Sequence, residues 1–206
     1  MIALFLSAFI TLFVVIDPPG CAPIFAGLTK DGGAAHRKAM AVRSTLVATV
    51  IMLVFALFGE KLLHTLGISL DAFRIAGGIM LFLIALEMVF EKRTQRRETR
   101  AAEVSQSPQV EDISIFPMAI PMIAGPGSIA TIMLLMSRSD DLTQSAVVLV
   151  ALIVVMALTM ISLLAAGAIM RVLGPKLEAM ITRVLGVILA ALATQFVIDG
   201  LKASFA

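Results

Sequence analysis

Apolar residues fill six long stretches of this chain, at about residues 2–28, 41–63, 72–90, 113–136, 145–170 and 180–201, and polar residues collect in the gaps between them. Each stretch meets or exceeds the roughly 20 residues with which an α-helix crosses ~30 Å of hydrocarbon. The pattern predicts six transmembrane helices in an all-α, polytopic membrane protein. One gap is long: residues 91–112 turn abruptly to Lys, Arg, Glu, Gln, Ser and Thr. It reads as a linker joining two three-helix halves, 1–90 and 113–206.

Two stretches are interrupted. Asp17, Pro18, Pro19, Gly20 and Pro23 fall inside the first. Proline removes a backbone donor and drives the residue before it out of the helical region, so the helix is expected to break at Asp17. Residues 123–131 repeat residues 16–24 at an offset of 107 (123 minus 16): Ile123, Pro126 and Gly127 answer to Ile16, Pro19 and Gly20, and Ser128 stands for Cys21. At the same offset Leu66-Gly67 pairs with Leu173-Gly174; Arg74, Gly77 and Ile79 then answer to Arg183, Gly186 and Ile188 at an offset of 109 (183 minus 74). Three crossings per half is an odd number, so the second half enters from the opposite side. The expectation is a 3+3 inverted repeat with broken helices 1 and 4.

A broken crossing survives in lipid only where it is buried in protein or lines a wet cavity, and paired breaks in two halves point to a transporter's binding site. In an inverted repeat the breaks meet near the bilayer midplane, where the amides of Gly20, Cys21 and Ala22 and of Gly127, Ser128 and Ile129 would converge. Helix N-termini suit a carboxylate. Freed carbonyls together with Asp17 suit an ammonium group or a small cation, so the site suits a small zwitterion. Its candidate residues are Asp17, Pro18, Pro19, Gly20, Cys21, Gly125, Pro126, Gly127, Ser128 and Thr131. Asp17 has a second reading as the N-cap of the half-helix that follows it. Ser128 can bond a carboxylate or its own helix. Ion coupling could run through protonation of Asp17 or through Na+ held by carbonyls; no other cofactor is expected.

A content of 60% hydrophobic residues and a mean hydropathy of +1.04 exclude a soluble domain. The net charge of +2 is a topology signal, not a nucleic-acid footprint. Twelve of the Lys and Arg residues lie on the side that holds the linker and four (Lys61, Arg74, Arg138, Lys202) on the other, which places the linker in the cytoplasm and both termini outside. The first stretch lacks a basic n-region and reads as a retained helix, not a signal peptide. A lone cysteine makes no intrachain disulfide, and His36 and His64 have no metal-ligand spacing. Glu87 and Asp199 read as water-facing, and Gln195 as bonding a neighbouring helix. Intramembrane catalysis would need paired acids, a Ser/His pair or a metal cluster, so a non-enzyme is expected.

The Asp-Pro-Pro-Gly break at 17–20, its Ala-Gly-Pro-Gly counterpart at 124–127, the three-plus-three segments and the basic linker together resemble the MarC family of bacterial inner-membrane proteins, over essentially the whole chain. That family is similar to the wider group of small amino-acid exporters. The resemblance implies transport of small neutral amino acids such as glycine and alanine, driven by a proton or sodium gradient. By motif position it implies Asp17, Pro18, Pro19, Gly20, Gly125, Pro126 and Gly127 at the substrate site. A channel-like or one-way exporter of the same architecture is the alternative, and a scaffold with no cargo a third reading.

Overall fold

The computed structural model describes residues 1–30, 32–92, 96, 99, 112–139 and 141–205, apart from the side chains of 170–176 and 178. Helix accounts for 88% of them and strand for none, which sets the all-α class. The elements are α1 (Ile2–Ile16), α2 (Pro18–Leu28), α3 (Ala34–Thr65), α4 (Leu70–Val89), α5 (Ser114–Ile123), α6 (Pro126–Met136), α7 (Leu142–Leu164) and α8 (Ala166–Ser204). Five spans are long and apolar enough to cross a membrane: α1 continued by α2, then α3, α4, α7 and Ala179–Ser204 of α8. The pair α5 and α6, bent by 53° at their junction, makes up to six. Of the expected linker only residues 91, 92, 96, 99 and 112 are described; the rest of it lies outside the described residues.

The element boundaries follow local chemistry. Ser69 Oγ accepts the Ala72 N–H at 3.1 Å to start α4, and Asp141 Oδ1 accepts the Gln144 N–H at 2.7 Å to start α7. Gly67, at a φ of 71°, makes the turn between α3 and α4, a backbone state that favours glycine. In α5 the backbone bonds reach back five residues, Met118 N–H to Ile113 O at 3.3 Å and Ala124 N–H to Ala119 O at 2.9 Å. Phe116 and Ile120 are extended inside this segment, at φ values of −125° and −124°. Each precedes a proline, Pro117 or Pro121, whose ring excludes the helical region for the residue before it.

One expected boundary falls elsewhere. The gap between the stretches at 145–170 and 180–201, which holds Gly174 and Pro175, is expected to separate two helices, but α8 runs for 39 residues straight through it, and the break lies at Ala165. A single proline removes one backbone bond and need not end the helix that carries it.

α1 and α2 pack on α7, α5 and α6 pack on α3, and α4 packs on α8. α4 and α8 run antiparallel at close range. A Cβ added at Gly78 would sit 2.9 Å from Ala193 O, one at Gly186 3.1 Å from Ala85 O, and one at Gly200 3.0 Å from Asp71 O. Small residues let these helices touch backbone to backbone, where van der Waals packing is the main adhesive in lipid. Hydroxyls inside the bundle are satisfied one turn back: Thr11 on Ser7 O, Ser44 on Met40 O, Thr45 on Ala41 O and Thr159 on Val155 O, at 2.7–2.9 Å.

Ion pairs tie both ends of the bundle. At the linker end, Arg43 meets Asp112 at 3.1 Å and Arg183 meets Glu91 at 2.6 Å. The Ser114 hydroxyl and amide hold the Asp112 carboxyl below the usual carboxylate range, with Arg43 assisting against slight burial. At the opposite end Arg138 pairs with Asp199 and lies 4.2 Å above the Phe196 ring, while Arg74 donates to Asp71 at 3.1 Å and to Ser137 O at 3.0 Å. Burial lowers the Arg138 pKa; Asp199 opposes that shift and Arg74 adds to it. Gln195 donates to Asp199 on its own helix at 2.6 Å, not to a neighbouring helix, and Asp199 is paired there instead of facing only water.

Candidate functional site

The first break is a closed elbow. Asp17 adopts the left-handed conformation, φ 58° and ψ 64°, where its N–H still bonds Phe13 O at 2.9 Å and completes α1. Its side chain, 3% exposed, turns back over the start of α2 and accepts the Gly20 N–H at 3.1 Å. Its carbonyl accepts the Cys21 N–H at 3.1 Å. A Cβ on residue 20 would fall 2.2 Å from Asp17 Oδ2, so glycine is what lets the carboxylate lie there. The Cys21 thiol, fully buried, points to Ile16 O at 3.5 Å. Pro18 and Pro19 supply the first two positions of α2, where a missing N–H costs nothing.

The second break is an open elbow. Ala124 stands where the first has Asp17, and Gly125, extended at φ −81° and ψ 171°, opens α6 with no side-chain cap. The backbone closes one bond, Ile129 N–H to Gly125 O at 2.9 Å. A Cβ on residue 125 would lie 2.4 Å from the backbone oxygen of Pro121, so the bend requires glycine. Thr131 spends its hydroxyl on Gly127 O at 2.7 Å.

A cavity of about 310 Å³ adjoins this elbow, lined by Val15, Ile84, Glu87, Arg96, Pro121, Met122, Gly125, Pro126, Gly127 and Ser128. Four candidate residues, Gly125, Pro126, Gly127 and Ser128, come together on it. Asp17, Pro18, Pro19, Gly20, Cys21 and Thr131 are not in its lining. The first break reaches the cavity only through Val15, whose Cγ1 would lie 3.7 Å from a Cβ on Gly127. The amides of Gly20 and Cys21, expected to face a common hollow with those of the second break, are instead taken by Asp17. A carboxylate beside desolvated amides satisfies them locally, and leaving them unmade would cost about 1–3 kcal/mol each.

Two charged residues of the cavity were not anticipated as part of it. Glu87, near the end of α4 with a side chain 23% exposed, forms an ion pair with Arg96 from the linker, and both line the cavity. Glu87 follows Ile84 by three positions, so the two share one face of α4, and that spacing was the available signal. The N-terminal end of α6 thus brings partial positive charge to the cavity, and Glu87 a formal negative charge that Arg96 balances.

A bundle of long apolar helices, with one bent and uncapped crossing beside a cavity, is the architecture of a multi-pass integral membrane protein. The chain belongs to the MarC family of integral membrane proteins, whose pattern it matches over residues 2–205. It is similar to a UPF0056 membrane protein of Methanocaldococcus jannaschii, 36% identical over 198 residues and covering 96% of each chain. It is similar also to the UPF0056 membrane protein YvbG of Bacillus subtilis, 36% identical over 205 residues, 100% of this chain and 97% of the other. The UPF0056 inner membrane protein YhgN of Escherichia coli K12 is 36% identical over 197 residues, 96% of this chain and 95% of that one. No solved structure matches.

Proposed function

We propose that the chain is a secondary transporter of small neutral amino acids of the glycine and alanine type, working by alternating access about the breaks at 17–20 and 125–127. The observation that carries this reading is the uncapped N-terminus of α6 on a half-open cavity of an apolar bundle, with Gly127 and Ser128 in the lining. Helix amides that no side chain caps are a preorganised seat for a carboxylate, and Ser128 adds a hydroxyl beside them. Val15, Ile84, Pro121 and Met122 are apolar, and the two charged side chains of the lining among the described residues, Glu87 and Arg96, are paired with each other. Such a lining favours substrates whose only polar groups are the amino-acid backbone.

The packing supports the inverted repeat. α1 and α2 lie on α7 as α5 and α6 lie on α3, and α4 lies on α8. That is the exchange of partners a pseudo-two-fold axis between halves 1–90 and 113–206 would produce. Asp17 serves such a carrier as a hinge: protonating its carboxylate would weaken the cap on Gly20 and loosen the first elbow, a route for H+ coupling, with Na+ at freed carbonyls as the other. The excess of Lys and Arg on the linker side supports a cytoplasmic linker with both termini outside, and the name of the E. coli relative points to the inner membrane. No catalytic step is proposed.

The test is flux in proteoliposomes. Uptake of labelled alanine should saturate and should rise when the vesicles are preloaded with unlabelled alanine. Uptake that never saturates and ignores preloading would point to a pore, and no uptake of glycine or alanine at all would overturn the reading.

A further inference from the structure

Resting on that reading, the cavity can be resolved into two subsites. Glu87 and Arg96 are the two charged side chains in its lining among the described residues, and they are paired with each other. Their settings differ. Glu87 is held on a helix with its side chain 23% exposed, whereas Arg96 reaches in from the linker with 63% exposure. A helix-borne carboxylate is a fixed feature of the cavity. A mostly solvated guanidinium, by contrast, can leave for water at small cost, because exposed ion pairs contribute little. The other pole of the same cavity is the α6 N-terminus with Ser128, which suits the carboxylate of a zwitterion and leaves its ammonium without a partner at that end.

We propose that Glu87 is the ammonium subsite of the cavity and that Arg96 competes with the substrate's ammonium group for the same carboxylate. Arg96 is then an internal surrogate: it balances the Glu87 charge until an amino acid enters, and it returns as the amino acid leaves. This sets a lower limit on the ligand, which must carry a cation as well as an anion, and it makes the linker a modulator of affinity.

The experiment is calorimetric titration of the purified full chain with two probes of equal carbon skeleton, alanine and propionate, the second lacking the ammonium group. Wild type should prefer alanine. Glu87→Gln should weaken alanine about tenfold, to the propionate level, the loss expected for one charge-assisted contact. Arg96→Gln should tighten alanine about threefold, the scale of an exposed pair, and should leave propionate no tighter. In a Glu87→Gln background, Arg96→Gln should change nothing, since the contact it competes for is gone. Retained preference for alanine in Glu87→Gln, or weaker alanine binding in Arg96→Gln, would overturn the proposal while leaving the transport reading intact. If Glu87→Gln fails to fold, the exposed Arg96→Gln variant decides alone by the sign of its effect. A wild-type chain that binds neither glycine nor alanine would overturn both.

Discussion

The two elbows share proline and glycine at matching positions, yet they do opposite things with their backbone donors. At the first, Asp17 folds over Gly20 and takes its amide, and the elbow is sealed within the core. At the second the matching residue is Ala124, no side chain caps α6, and Gly127 and Ser128 border a cavity. Direction changes too: α5 and α6 bend by 53°, whereas α1 and α2 run on as one 27-residue span. The lesson is that Pro-Gly punctuation sets where a membrane helix breaks, while one neighbouring side chain decides whether the break binds its own amides or offers them to something else.

The strongest way to break this comparison is Gly125→Ala. Its methyl group would meet the Pro121 backbone oxygen, which cannot swing aside as a side chain can. Loss of alanine uptake and a stability loss of about 2–4 kcal/mol are expected, read by proteoliposome flux and thermal melting. Gly20→Ala comes next: its methyl displaces the Asp17 carboxylate and should cost about 1–2 kcal/mol of stability, the range of a lost N-cap. Alanine affinity in that variant should stay within about twofold, and in an Asp17→Gly background most of the stability cost should vanish because the cap is already gone.

Ser128→Ala and Cys21→Ala sharpen the contrast at equivalent positions. The first should weaken alanine binding about threefold to tenfold without lowering the melting temperature, the scale of one hydrogen bond. The second should leave affinity unchanged, because the Cys21 thiol faces Ile16 O inside the core.

The smallest effect belongs to Asp112, outside both elbows. Its carboxyl is held below the usual range in the folded protein, so its stabilising contribution is present above the unfolded-state pKa and fades as pH falls through the lowered folded value. Asp112→Asn should therefore lower stability at neutral pH by less than ~1 kcal/mol, as suits an exposed pair. Melting curves of the two proteins should converge in strong acid.

Much of the architecture was legible before any coordinates. Apolar runs located the crossings, and the residue-before-proline rule located the break at Asp17, because both are local effects. The N-cap reading of Asp17 was legible for the same reason: a short acid followed by two prolines has few other conformations. The sealing of the first elbow was not, since it depends on the carboxylate reaching Gly20 and not the cavity. The partnership of Glu87 with Arg96 could not be read either, because the order of charges along a chain does not say which of them meet. The loose winding of α5 was overlooked although Pro117 and Pro121 stand four apart in plain view. The run through Gly174-Pro175 shows the converse: a Gly-Pro signal just ahead of the last apolar span does not end the helix that carries it.

The account rests on the second elbow, and not the first, presenting amides to the ligand. Amide proton and nitrogen shifts of the four residues Gly20, Cys21, Gly127 and Ser128, followed in lipid nanodiscs during titration with alanine, test this directly. The expected result is saturable movement of the Gly127 and Ser128 signals with Gly20 and Cys21 nearly still. Movement confined to Gly20 and Cys21, or none at any of the four while alanine demonstrably binds, would contradict it.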